Sequence, residues 1–443
     1  EVQRAAFSAI LDGGDAVLLS ETGSGKTLGY ALPLLHRLLA ELDSDGDSDS
    51  DSEESASATR HGQLRPSNQA LVLVPNRDLC AQVLSVFTDL IDALPAEAKR
   101  QLSAASLASE TAFDPEATIL IATPAVALNS WRGPERVRCV ILDEADALLA
   151  GSFKLAARQT YPIERLISEV KRSAKEEALE AREGGGGWRG GPRGVHGAEA
   201  RAARALAYAS KQFVLVGATM PNAGTRNAEE HVRRLFPLAT WHRATQVHRN
   251  KLELSHYFVK VDAASRAEAL RQALRHGPQG RVLVFANTLQ TAEEAFEEVA
   301  LAVGTEVAGF FHGELATHQR AALLASFGAT GAAAAEGDID AEGALRVLVC
   351  TGLASRGIDF RDVEHVVQYE VATNAVEFMH RVGRTARAGQ SGVSTTLYTD
   401  DRTDLVEGLR DALTAGEPIE HLFSRKRSFK LGLKKRRRRA QGA

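Results

Sequence analysis

The chain has 443 residues, 53 basic and 57 acidic side chains, and a formal charge of −4. That length exceeds one ordinary hydrophobic core and suits two domains with additions. The near-balanced charge excludes a partner chosen by net charge alone, and no apolar run approaches the length of a membrane span.

The average conceals two opposed blocks. DSDGDSDSDSEES at 43–55 is strongly acidic, and SRKRSFKLGLKKRRRR at 424–439 is strongly basic. Such blocks read as solvated segments, and a basic one is a typical nucleic-acid contact. Cys80, Cys139 and Cys350 are far apart and lack CxxC spacing. This predicts a reduced, intracellular chain with no disulfide framework and no zinc site. The first residue is Glu1, so the chain reads as a fragment or a processed product, with any targeting peptide upstream.

In chain order, short apolar runs each close on a polar or glycine-rich stretch. They are AVLLS (16–20), ALVLVP (70–75), ATILIATP (117–124), CVILDEAD (139–146) and FVLVGAT (213–219). After a gap come YFVKV (257–261), RVLVFANT (281–288), RVLVCTG (346–352) and HVVQYE (365–370). Strands without polar alternation suit a parallel sheet covered on both faces. Helical patterns lie between them, as at 77–94 and 292–303. The expected fold class is α/β, with two tandem open parallel sheets flanked by helices. The first domain is placed at 1–240, with insertions near 43–66 and 170–200. A linker follows at 241–252, then a second domain at 253–410 with an insertion near 328–343, and a basic tail at 411–443. The acidic run, GGGGWRGGPRG (184–194) and GATGAAAAEGDIDAEG (328–343) contain too few large apolar residues for a core and read as surface loops. A minor reading gives the Gly/Arg run an RNA contact.

Ligands of open parallel sheets bind beyond the carboxyl ends of the strands. SETGSGKT (20–27) lies there, between a strand and a helix. Gly23 and Gly25 let backbone N–H groups face phosphate oxygens, Lys26 brings a point charge, and Thr27 offers a hydroxyl to Mg²⁺. A phosphate loop calls for a second strand ending in acids. Asp143 would hold Mg²⁺, and Glu144 would orient and deprotonate the attacking water. HRVGRTARAG (380–389) supplies Arg381, Arg384 and Arg387. These read either as fingers that stabilise the transferring phosphate or as a solvated basic helix end.

These segments, in this order, resemble the DEAD-box family of ATP-dependent RNA helicases over nearly the whole chain. The resemblance implies two RecA-like domains, with ATP and Mg²⁺ as cofactors and the RNA backbone as partner. It implies an ATP site of Gln3, Ser20, Glu21, Thr22, Gly23, Ser24, Gly25, Lys26, Thr27 and Asp359. Gln3 would read the adenine and Asp359 would contact the ribose. Lys26, Asp143, Glu144, Arg384 and Arg387 would be catalytic, with Thr27 and Asp143 at the metal. VPNRDLCAQ (74–82) is similar to the family's PTRELA segment and ATPAVAL (122–128) to its TPGR segment. Pro75, Arg77, Thr123 and Pro124 would then face RNA. Asp146 and Thr219 would bond to each other. Arg320, Thr351, Arg356, His380 and Arg381 would join the RNA and ATP sides. Asn76, Asp78, Ala125, Val126, Gly217, Gly352 and Ala386 depart from the family pattern.

The implied function is ATP hydrolysis coupled to local duplex unwinding or ribonucleoprotein remodelling, by a monomer without a membrane. The basic tail fits ribosome assembly in a nucleolus or an organelle, and a nuclear targeting signal is a comparable reading of it. Loss of a hydroxyl at Gly217 implies weaker coupling. Together with Gly352 it motivates one alternative, an RNA-dependent ATPase clamp with weak unwinding; the other is a non-catalytic RNA-binding scaffold, against which Lys26, Glu144, Arg384 and Arg387 argue.

Overall fold

The computed structural model describes residues 2–20, 24–46, 69–108, 114–150, 161–183, 211–218, 220, 228–243, 254–328, 344–352, 358, 360, 362–387, 389–417 and 419–423. Glu21, Thr22, Gly23, Thr219, Arg356 and Asp359 lie outside them. So do most of the acidic run, the Gly/Arg run, nearly all of 328–343 and the basic block at 424–439.

The chain divides into two units, one made mainly of residues up to 245 and the other mainly of residues from 246 onward. The first holds helices α1 (Val2–Leu11), α2 (Lys26–Gly46), α3 (Arg77–Asp92), α4 (Ala96–Gln101), α5 (Pro124–Ser130), α6 (Ala145–Ala150), α7 (Pro162–Glu183) and α8 (Ala228–Leu235). Its strands are β1 (Ala16–Leu19), β2 (Gln69–Leu73), β3 (Ala104–Ser106), β4 (Ile119–Ala122), β5 (Val137–Asp143), β6 (Gln212–Gly217) and β7 (Thr240–Arg243). They form one sheet in the order β3-β4-β2-β5-β6-β1-β7, with every pair parallel.

The unbroken apolar runs follow from burial on both faces. Successive side chains of a strand point to opposite faces. Leu18, Val72, Ile121, Ile141 and Val214 join one core with Ile10, Tyr30, Leu34 and Phe87 from α1, α2 and α3. The intervening residues Val17, Leu71, Leu120, Val140 and Leu215 are equally buried. All three cysteines are free and buried, and burial pushes the Cys80 thiol up to about 12.

The second unit holds β8 (Leu254–Lys260), α9 (Arg266–His276), β9 (Arg281–Ala286), α10 (Leu289–Val303), β10 (Ala308–Phe311), α11 (Thr317–Gly328) and β11 (Val347–Thr351). After these come β12 (Val363–Gln368), α12 (Ala375–Val382), β13 (Gly392–Tyr398) and α13 (Thr403–Ala415). Its sheet runs β10-β11-β9-β12-β13-β8, again parallel throughout.

Three stretches differ from the expected boundaries. The polar TWHR, read in part as linker, forms edge strand β7 and pairs with β1 from Ala16↔Thr240 to Leu19↔Arg243. Helix α7 runs through part of the expected insertion near 170–200, because Ile163, Leu166, Ile167, Val170 and Ala174 bury one face of it. Helix α13 continues past residue 410, anchored by buried Leu409, Ala412 and Leu413. No described helix is long and apolar enough to cross a membrane.

Candidate active site

Strands β1 and β5 are separated by β6 alone. Their registers, Leu19↔Gly217 and Asp143↔Val216, bring the carboxyl ends of all three strands level. The phosphate loop leaves β1 at Ser20, whose N–H donates to the Gly217 carbonyl at 3.1 Å. Helix α2 starts at Lys26, and its Nζ donates to the Ser20 carbonyl at 3.0 Å. The loop's lysine is thus folded back over the end of its own strand. Gly25 has φ +76, a region where side chains are strained. A Cβ at that position would also come within 2.6 Å of Gln3 Nε2. The Gln3 amide therefore rests against the phosphate loop from α1.

Asp143 is the last residue of β5, and Glu144 turns the chain into α6. Glu144 has φ +52, an uncommon conformation for a residue with a Cβ, and its carbonyl accepts from the N–H groups of Ala147 and Leu148. Backbone strain of this kind clusters at functional sites. Asp143, Glu144 and Asp146 are all buried, at 3 %, 6 % and 3 % exposure. The Asp143 Oδ1 accepts from the Glu144 N–H at 2.9 Å, and its Oδ2 accepts from the Tyr30 hydroxyl at 2.9 Å. Burial, and then the charge of Glu144, push Asp143 up to about 6, against the opposing Tyr30 bond and Lys26 charge. The Tyr30 phenol, wholly buried beside Asp143, is pushed well above its ordinary range. Ser24 Oγ is buried without a hydrogen-bond partner. The Thr27 hydroxyl and Asp143 carboxylate are hard oxygen donors of the kind magnesium takes, and buried Ser24 offers an unmatched polar atom, so the residues present fit a metal–phosphate group.

On the far side of β5, β2 and β4 are neighbours. Asn76 caps α3, accepting from the Leu79 N–H at 2.8 Å, so Asn in place of Thr still starts the helix. Arg77, the first residue of α3, is exposed. Thr123 caps α5, with Pro124 as its first residue. Pro75, Arg77, Thr123 and Pro124 therefore share the strand-end edge that also carries the phosphate loop.

Sequence reasoning missed two residues of this unit. Tyr30 is one. The other is buried Gln212, whose Nε2 donates to the carbonyls of Ala9 at 2.8 Å and Gly14 at 2.7 Å. Its Oε1 accepts from Arg37 Nη1 at 3.0 Å. This amide ties α1, and hence Gln3, to β6 and α2. A lone Gln opening an apolar run gave no signal of that role.

In the second unit, Arg381 is wholly buried on α12. Its Nη2 donates to Glu377 Oε1 at 2.5 Å and to Asn287 Oδ1 at 2.8 Å, and its Nη1 to the Glu370 carbonyl at 3.2 Å. It is a hub between the ends of β9, β12 and α12. Burial opposes the charge on Glu377, but Arg381 and the Thr373 hydroxyl outweigh it and hold the carboxyl below its usual range. His380 gives its carbonyl to Arg384 Nε at 3.2 Å, and Arg384 Nη1 donates to the Ile358 carbonyl. Arg387 Nε donates to the Gly383 carbonyl at 3.0 Å and Nη1 to the Phe360 carbonyl at 3.3 Å. Arg384 and Arg387 thus hold the backbone on either side of position 359. Ala386, between them, has φ +52 where the family pattern has Gly. Arg320 is buried on α11, and Thr351 closes β11.

Gly352 also has a physical account. A Cβ there would lie 2.4 Å from Glu377 Oε1, and Glu377 cannot swing away without releasing Arg381. Gly352→Asp is therefore expected to destabilise the second unit by about 1–3 kcal/mol. Denaturant unfolding checks this. An unchanged midpoint would show that Glu377 moves freely.

Residues 1–180 match the DEAD/DEAH box helicase family, and residues 265–389 match the helicase conserved C-terminal domain. The DEAD-box ATP-dependent RNA helicase 22 of Oryza sativa subsp. japonica is 34% identical over 98% of this chain and 80% of its own length. Its namesake in Arabidopsis thaliana is 31% identical over 98% and 79%. Among solved structures, S. cerevisiae Dbp5 bound to RNA and ADP BeF3 shares the fold at TM-score 0.63 and 20% identity, covering 93% of this chain and 87% of Dbp5. Mss116 bound to ssRNA and UDP-BeF does so at 0.64 and 18%, covering 94% and 72%. With its phosphate-loop lysine and strand-end acids placed as described, the chain belongs to the DEAD-box family of ATP-dependent RNA helicases.

Proposed function

We propose that the chain hydrolyses ATP at the strand ends of its first unit when RNA is bound, and spends the cycle on local separation of short RNA duplexes or remodelling of ribonucleoprotein. One observation carries this reading: Lys26, folded back onto the Ser20 carbonyl beyond β1, and the Asp143–Glu144 pair at the end of β5 lie over strands separated only by β6. A phosphate-holding cation and a proton-accepting acid thus belong to one rigid sheet edge.

Lys26 leaves the Ser20 carbonyl for the β/γ-phosphates, and the backbone around Gly25 donates to phosphate oxygens. Gln3, held against the loop, reads the adenine edge, and Asp359 takes the ribose. Glu144 orients the attacking water and accepts its proton. Thr27 and Asp143 would hold Mg²⁺, which when bound neutralises charge on the phosphate oxygens. Arg384 and Arg387 supply positive charge to the transferring phosphate, guanidinium being the group whose fork matches phosphate oxygens.

Pro75, Arg77, Thr123 and Pro124 contact the sugar–phosphate backbone. Phosphate contacts carry no base information, so binding is largely blind to sequence. Asp146 with Thr219, and Arg320, Thr351, Arg356, His380 and Arg381 in the second unit, relay between RNA and ATP. A pre-ribosomal particle inside the cell is supported by the basic block at 424–439 and by a relative, the ATP-dependent rRNA helicase RRP3 of Encephalitozoon cuniculi, 26% identical over 97% of this chain.

A second reading, a clamp that hydrolyses ATP with little strand separation, draws on Gly217. It stands between the two catalytic strands without a side chain, and its carbonyl accepts from the Ser20 N–H. Release of a labelled strand from a short RNA duplex with a single-stranded extension decides between them. The proposal expects release to be faster with ATP than without nucleotide. Equal release rates, beside intact RNA-stimulated hydrolysis, would leave the clamp.

A further inference from the structure

Tyr30 carries a chemical group that its packing does not need. It lies on α2, one turn beyond Thr27, and is wholly buried. Its ring sits against Phe87 with centroids 6.4 Å apart, in the core beneath the sheet. A phenylalanine would fill that place equally well. The added hydroxyl must find a partner when buried, since an unmade hydrogen bond there is costly. It finds Asp143 Oδ2 at 2.9 Å, and the Thr27 hydroxyl bonds to the same phenol. The bond spans 113 positions of sequence and links the helix of the phosphate loop to the end of β5.

We propose that Tyr30 is a positioning residue that holds the Asp143 carboxylate in register with Thr27, and so sets the affinity of the site for its divalent cation. The inference rests on the reading of Thr27 and Asp143 as the magnesium-holding pair. Two donors fix the carboxylate. The Glu144 N–H takes Oδ1 at 2.9 Å and the phenol takes Oδ2, so neither oxygen turns freely about the side-chain axis. Without the phenol, one buried oxygen loses its donor and the carboxylate is held from one side only. Groups that orient a metal-binding carboxylate typically matter by about 10–100-fold in metal affinity.

The test uses the whole chain and its Tyr30→Phe variant, which keeps the ring and removes only the hydroxyl. Mn²⁺ binding to the ADP complex, followed by electron paramagnetic resonance, reads the metal directly, and fluorescent ADP without metal reads the nucleotide alone. The expected result is a loss of Mn²⁺ affinity of about 10-fold, with metal-free ADP affinity unchanged. In an Asp143→Asn background the same substitution is expected to have little further effect, because the two residues act as one unit. Equal Mn²⁺ affinity in wild type and Tyr30→Phe would overturn the role of Tyr30 alone. A wild-type ADP complex that binds no Mn²⁺ would overturn the magnesium reading and this proposal with it. Parallel losses of Mn²⁺ and of metal-free ADP affinity would mark a general loosening of the loop, and would also overturn it.

Discussion

Replacement of Glu144 by Gln is expected to lower RNA-stimulated ATP turnover about 10³-fold while ATP still binds. The substitution is nearly isosteric, and a glutamine can occupy the same buried corner at 6 % exposure. The strand-to-helix turn itself is held by backbone, through the Glu144 carbonyl and the N–H groups of Ala147 and Leu148, and none of those bonds involves the side chain. What disappears is the proton acceptor. The proposed reading places affinity for ATP in the phosphate loop and Lys26, so it should change little. Single-turnover hydrolysis beside equilibrium binding of a fluorescent ATP analogue measures both. Turnover within a few-fold of wild type would mean that another group takes the proton.

Arg387→Ala is expected to lower kcat about 10³-fold, with a much smaller change in KM for ATP. Removing a charge that acts in the transition state lowers the rate more than the binding. Arg387 is a cleaner probe than Arg384. Arg384 is 3 % exposed and bonds to the carbonyls of His380 and Ile358, so its loss would disturb folding as well. Arg387 is half-buried, with bonds to the Gly383 and Phe360 carbonyls. Arg387→Lys should recover only part of the rate, since an ammonium lacks the planar fork. Wild-type kcat in Arg387→Ala would assign Arg387 to holding the backbone near position 359 and to nothing else.

How far the sequence discloses this molecule depends on the range of each interaction. Strands buried on both faces announce themselves as apolar runs, and β1, β2, β4, β5, β6, β9, β11 and β12 all lie within or across runs visible at sight. Strand β13 does not, because GVSTTLY buries Ser394, Thr395 and Thr396. His365 pairs with Thr395 Oγ1 at 2.9 Å, and Gln368 Nε2 donates to Thr396 Oγ1 at 3.0 Å. These two bonds pair part of a polar ladder inside the sheet, while Ser394 Oγ, His365 Nδ1 and Gln368 Oε1 are buried without a partner, and a hydropathy pattern reads the run as loop. Strands β3, β7 and β10 escape for another reason. They stand at sheet edges and read AAS, TWHR and AGFF, with small or polar residues where the equally short β1 and β4 are unbroken apolar runs.

The same distinction divides the site. Lys26, Asp143 and Glu144 could be picked out because Asp143 and Glu144 close an apolar run and Lys26 stands in the glycine-rich stretch that follows another, where open parallel sheets bind ligands. Tyr30, Gln212 and Glu377 were not. Gln212 meets Ala9 across 203 positions, and Tyr30 meets Asp143 across 113. Glu377 bonds to Arg381 and Thr373, both four positions away, but its importance lies in occupying the space a side chain at Gly352 would need. The departures at Asn76 and Gly352 likewise acquire meaning only in three dimensions, one as an equivalent helix cap and the other as room for Glu377.

The central claim is that the sheet edge carrying Lys26, Asp143 and Glu144 turns over ATP under the control of RNA. Steady-state ATP hydrolysis by the wild-type chain, with and without single-stranded RNA and beside Glu144→Gln, tests it most directly. The account predicts slow hydrolysis alone, strong stimulation by RNA and loss of both in the variant. Hydrolysis indifferent to RNA, or undiminished in Glu144→Gln, would contradict it.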